Sequence, residues 1–103
     1  MAGWNSVHVE GTVKRDAEAS HLRSGVDVME FSIAVQDPVV EDMMVYVDCF
    51  ASTDAVAMLD GFVTKGERLA VDGALTFRTM TSPRGVRKSG MMVYVENVEE
   101  IDD

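Results

Sequence analysis

Four basic residues, Arg78, Arg84, Arg87 and Lys88, fall between Gly73 and Val95 with no acidic residue among them. Cationic groups gathered in one stretch of chain are the chemistry that tracks a phosphate backbone, although the same charges could simply solubilise an exposed hairpin. A second group is aromatic. Tyr46 and Phe50 share one face of the alternating segment Met44-Val45-Tyr46-Val47-Asp48-Cys49-Phe50, where flat rings can stack on bases or pack on a core or a neighbouring subunit. Asp48 lies on that same face and would repel a phosphate.

The remaining reactive side chains read as structural. His8-Val9-Glu10 has the His-x-Glu spacing of zinc deaminases, but a single cysteine, Cys49, leaves no Cys-x-x-Cys to complete a metal set. Cys49 sits among Val47, Phe50 and Ala51, the setting of a buried thiol rather than a nucleophile. His21 falls in a polar stretch and reads as a solvated loop residue. Asp16 and Glu18 are explained by a turn at the end of a strand. Phosphate-cradling glycine loops and nucleophile elbows are absent from the sequence, so neither an enzyme, a metal site, a cofactor nor a small-molecule substrate is expected.

Charge and composition bound the setting. The chain has 103 residues and a formal net charge of −9. Outside the basic stretch the balance is −13, so charge is segregated. The length suits one domain with a single core. No apolar run approaches the roughly 20 residues that a membrane helix needs. With one cysteine and no secretory signal, cytoplasmic residence is the expectation, without membrane association.

The elements that must position the candidate residues can be read from alternation. Val7, Val9, Gly11 and Val13 mark a first strand ended by Lys14-Arg15-Asp16, and Met29, Phe31, Ile33 and Val35 mark a second, reached through a long polar connection. Met43 to Ala51 forms a third. Ser52-Thr53-Asp54 then caps a short helix over Ala55-Val56-Ala57-Met58-Leu59, stopped by Asp60-Gly61. Leu69, Val71, Gly73, Leu75 and Phe77 mark a fourth strand, with a bend or bulge at Gly73 and with Arg78 and Met80 on its other face. Ser82-Pro83-Arg84-Gly85 is a turn, and Met91 to Ile101 is the last strand. The region from Arg78 to Lys88 is thus a basic hairpin arm. This order predicts an all-β, five-stranded OB-fold barrel with one short helix between strands 3 and 4, rather than a sandwich.

The same segments carry a family resemblance. Asn5-Ser6-Val7, Gly11-Thr12-Val13, Phe31-Ser32-Ile33-Ala34-Val35, Val47-Asp48-Cys49-Phe50-Ala51 and, above all, Lys65-Gly66-Glu67-Arg68-Leu69-Ala70-Val71-Asp72-Gly73 resemble, in order and spacing, the bacterial single-stranded DNA-binding protein family. The resemblance covers roughly Asn5 to Ile101, within a single domain spanning 1–103. It implies sequence-tolerant binding of single-stranded DNA, or of RNA, in replication, repair or recombination by a homodimer or homotetramer. The family's stacking positions fall on Phe50 and also on Val40, Met44 and Met80, where a large aromatic is usual; Tyr46 and Tyr94 could compensate in part. Glu99-Glu100-Ile101-Asp102-Asp103 has the acidity of the family's tail but neither its flexible linker nor its Pro-Phe tip, so no C-terminal linker or tail domain is expected.

Two functions from different classes follow. The first is single-strand binding, with Arg78, Arg84, Arg87 and Lys88 on the backbone, Tyr46, Phe50 and Met80 on the bases, and Met44 and Tyr94 as weaker contributors. The second is a degenerate module of the same fold that works in protein–protein assembly, as the acidic charge and missing aromatics would favour.

Overall fold

Alternating apolar residues do become strands in the computed structural model, which describes residues 3–52 and 63–101. Six are formed: β1 (Val7–Val13), β2 (Glu18–Leu22), β3 (Asp27–Gln36), β4 (Met44–Ser52), β5 (Arg68–Thr81) and β6 (Arg87–Glu100). The helix expected over 55–59 lies outside the described residues. No helix among the described residues is long and apolar enough to cross a membrane.

β2 corrects the expected polar connection. Both β1 and β2 run antiparallel to β3, with Thr12 opposite Ala34 and Glu18 opposite Glu30. They are two segments of one strand position, interrupted at 14–17. His21, expected in a loop, lies opposite Asp27 on one side and Thr81 on the other. Ser20, buried within this polar strand, is satisfied by donating its hydroxyl to the Thr81 carbonyl at 3.1 Å, which removes the penalty of burying it.

The remaining pairings close the sheet on itself. β3 pairs antiparallel with β4, β5 with β6 and β1 with β5, while Cys49 and Phe50 of β4 run parallel to Val93 and Tyr94 of β6. The result is the five-position closed barrel implied by the order of strands. Its interior is filled by Val13, Phe31, Ile33, Leu69, Val71 and Val93, each no more than 2% exposed. Burying each of these large side chains stabilises the fold by roughly 1.5–3 kcal/mol relative to leaving it in water. Gly11 and Gly73 permit the close strand contacts, because a Cβ would overlap the carbonyl of Ala34 at the first and of Tyr94 at the second. The ladder slips one residue between Asp72 and Gly73, which is the bulge expected there.

Beyond that bulge β5 and β6 continue as a hairpin to the turn at Ser82, where the Gly85 N–H donates to the Ser82 carbonyl at 2.9 Å. One face of this hairpin, with Leu75, Phe77 and Met91, is exposed; the other closes Met80 and Met92 onto Phe50 and Val28 in a second, smaller apolar cluster. Asn5 fastens the start of the chain to the hairpin. Its side-chain amide both donates to the Leu75 carbonyl and accepts from the Leu75 N–H, at 2.8 Å each.

Candidate nucleic-acid interface

Outward side chains of β3, β4, β5 and β6 build one face, because direct cross-strand partners project to the same side. Met80 pairs with Lys88, Arg78 with Gly90, Ala74 with Tyr94, and Glu30 with Phe50. On this face lie two clefts. The first, of about 260 Å³, is lined by Leu22, Phe50, Ala74, Thr76, Arg78 and Tyr94. The second, of about 190 Å³, lies toward the hairpin turn and includes Arg15, Glu18, Glu30, Arg84 and Lys88. An apolar slot with an arginine at its wall thus neighbours a slot of mixed charge.

Phe50 and Tyr94 form the aromatic wall of the first cleft, with ring centroids 5.5 Å apart and planes tilted by 49°. Their exposures run opposite to the order in which the two were expected to contribute. Phe50 is 3% exposed and Tyr94 is 44% exposed, because Val28, Met80 and Met92 close around the phenylalanine. Tyr94 offers the accessible ring. Met80 is 1% exposed; it packs inside the second cluster, at the wall of the second cleft, and offers a base little surface in this arrangement.

Tyr46 stands on the β3–β4 arm, 57% exposed, with Met44 beside it along the same strand face at 42%. The Lys14 ammonium lies 4.2 Å from the Tyr46 ring centroid, within cation–π range. One ring face is therefore taken by a cation, and the other is open. At the arm's tip, Asp37 accepts from the Val39 and Val40 N–H groups at 2.8 and 2.9 Å. Those bonds hold its carboxyl below the usual range, the Val40 bond contributing most.

The basic arm is present but divided. Arg78 and Arg84 line the two clefts. Arg87, opposite Thr81, falls on the other face of the hairpin from Lys88 by simple alternation. Lys88 is not an open cation. Its ammonium is 2.7 Å from Glu30 Oε1 and 3.3 Å from Asp48 Oδ1. Burial alone would lower its pKa, but the hydrogen bond and charge of Glu30, with Asp48 behind it, more than offset this and raise it. Lys14, Arg15 and Glu30 were missed from the sequence. The doublet Lys14-Arg15 at a strand end was the available signal for two of them; Glu30 reaches the face only through the register of β3.

Cys49 is fully buried and its thiol is pushed up to about 12, chiefly by that burial and secondarily by the adjacent Asp48 charge. Among the described residues no group of His, Cys, Asp and Glu is arranged to hold a metal ion.

Comparison with known proteins bears on the family and the fold. The model of the Single-strand binding protein family matches residues 4–101. A single-stranded DNA-binding protein of Borreliella burgdorferi is 29% identical over 96% of this chain and 70% of its own length. One from Clostridium perfringens is 28% identical over 95% of this chain and 66% of its own. The chain thus spans about two thirds of the length of these relatives. Among solved structures, the dimeric N-terminal domain of PriB protein from Thermoanaerobacter tencongensis superposes with a TM-score of 0.71 at 19% identity, covering 96% of this chain and 98% of the other. The Plasmodium falciparum SSB, solved in complex with ssDNA, gives 0.70 at 18%, covering 99% and 98%. These two establish the shared barrel.

Proposed function

Since the chain belongs to the Single-strand binding protein family, we propose that it binds single-stranded DNA with little regard to sequence, and catalyses nothing. The observation that supports this most is the adjacency of the Tyr94–Phe50 cleft, with Arg78 at its wall, to the Arg15 and Arg84 cleft on the same barrel face. Bases enter the first while the backbone follows the cations, and Tyr46 extends the path along the β3–β4 arm. Base–aromatic stacking is worth about 1–3 kcal/mol per base in OB-fold single-strand binders as a class. In the cell the reading places the protein in the cytoplasm, as a homodimer or homotetramer acting in replication, repair or recombination.

The test is fluorescence anisotropy of a labelled oligo-dT strand at low and rising salt, with duplex DNA as control. Saturable, salt-sensitive binding that favours the single strand is expected; equal affinity for duplex would overturn the reading. A second function, assembly with another protein, is favoured by the net charge of −9 and by the exposed Leu75, Phe77 and Met91. Failure to bind any oligonucleotide even at low salt would make it the better account.

A further inference from the structure

Two carboxylates from different strands converge on one cation of the proposed binding face. Glu30 of β3 and Asp48 of β4 lie 2.7 and 3.3 Å from the Lys88 ammonium of β6, and Ser32 donates its hydroxyl to the same Asp48 Oδ1 at 2.6 Å. The Glu30 side chain is 17% exposed, and those of Lys88 and Asp48 are 35% exposed. This is a fastened group, since three strands and a neighbouring hydroxyl fix its geometry. Two carboxylates against one ammonium leave the group itself negative, so Lys88 adds no net attraction for a phosphate in the cleft. Releasing Lys88 to the phosphate would strand a mostly covered carboxylate without its partner, which is strongly unfavourable.

Building on the single-strand reading, we infer that Glu30 and Asp48 compete with the nucleic-acid backbone for Lys88 and thereby set the ceiling on affinity. Lys88 is a positioning residue, masking the carboxylates, and Arg15 and Arg84 are left as the cations of that cleft. The consequence is a binder that releases strands readily. Weakened affinity from a nearby like charge appears in the escape rate as well as in the approach rate.

The experiment compares the full chain with Glu30→Gln, Asp48→Asn and the double variant, by oligo-dT anisotropy across a salt series. Both changes keep shape and leave one amide oxygen that can accept, and thermal melting checks that each variant folds. Each single variant should bind roughly threefold to tenfold more tightly. In the double variant the slope of log K against log salt should steepen by about 0.7, as Lys88 becomes a phosphate contact. Adding Lys88→Met to the double variant should abolish that extra slope. If the wild type binds and the variants show the same affinity and slope, the inference fails while the single-strand reading stands. If neither wild type nor variants bind at low salt, both fail. Binding that appears only in the variants supports the inference directly. Asp48→Asn alone, which keeps the shorter Glu30 pair, serves if the double variant does not fold.

Discussion

Lys14 and Tyr46 form a cation–π pair, with the ammonium 4.2 Å from the ring centroid. One comes from the break between β1 and β2 and the other from β4, and β3 brings them together, since its Ala34 stands opposite Thr12 on one side and Tyr46 on the other. The pair steadies an exposed ring and sets a positive charge on the face opposite its free one.

Tyr46→Ala should therefore weaken binding to oligo-dT by roughly fivefold to a hundredfold, the range expected for one lost stack. Because the ring is 57% exposed, the melting temperature should stay nearly unchanged. An equal loss of affinity and stability would mean that the ring is structural. Lys14→Met should reduce affinity less and lower the salt slope by about 0.7.

Replacing both Arg78 and Arg84 with alanine should flatten the slope of log K against log salt by about 1.4 for a single strand. Arg87→Ala should change it far less, since that residue lies on the opposite hairpin face. A salt series on the two variants, with equal slopes for both, would count against the two-cleft path.

Gly73→Ala should destabilise the barrel by about 1–3 kcal/mol or more, because the new methyl would overlap the Tyr94 carbonyl. Gly90→Ala is the control. Nothing lies within 4 Å of a Cβ built there, so urea midpoints should differ clearly between the two.

His8 bridges two carboxylates, with Nε2 at 2.9 Å from Glu10 and Nδ1 at 2.6 Å from Asp72. Only the doubly protonated ring donates to both, and its pKa is raised, most by the Glu10 hydrogen bond and then by that of Asp72. The folded value thus lies above the unfolded one of about 6.5. This contribution to stability is full below that pH and is lost as pH rises through the folded value. Melting temperature followed from about pH 5.5 to about pH 9 should fall more in the wild type than in His8→Gln.

The Cys49 thiol should resist alkylation by iodoacetamide in the folded protein and react promptly in denaturant, because both burial and a pKa near 12 suppress the thiolate. Rapid labelling without denaturant would show that β4 opens locally.

Strand positions and barrel closure were legible because Val7, Val9 and Val13, like Phe31 and Ile33, alternate strictly and fill the interior. Glu18-Ala19-Ser20-His21-Leu22 was not legible. Its strand identity comes from pairing with β3, while its own pattern is polar and its buried Ser20 depends on the Thr81 carbonyl. Phe50 and Met80 were placed on the right strand face, but that face continues into a second apolar cluster. Outward from the barrel was therefore not the same as outward to solvent. The acid-free run around Lys88 misled for a different reason: its acids, Glu30 and Asp48, arrive across the sheet and not along the chain.

The pairing of Val7 with Gly73 also bears on how the molecule is made. A ribosome releases β1 first, yet most of its partners lie in β5, near the other end of the chain. Until β5 has emerged, the apolar side of β1 has little to close against, and the β3–β4 hairpin is the first substantial unit that can form. Non-local pairing of this kind folds slowly. The barrel accordingly stays open during synthesis, with Phe31 and Ile33 incompletely covered, until β5 and β6 have emerged.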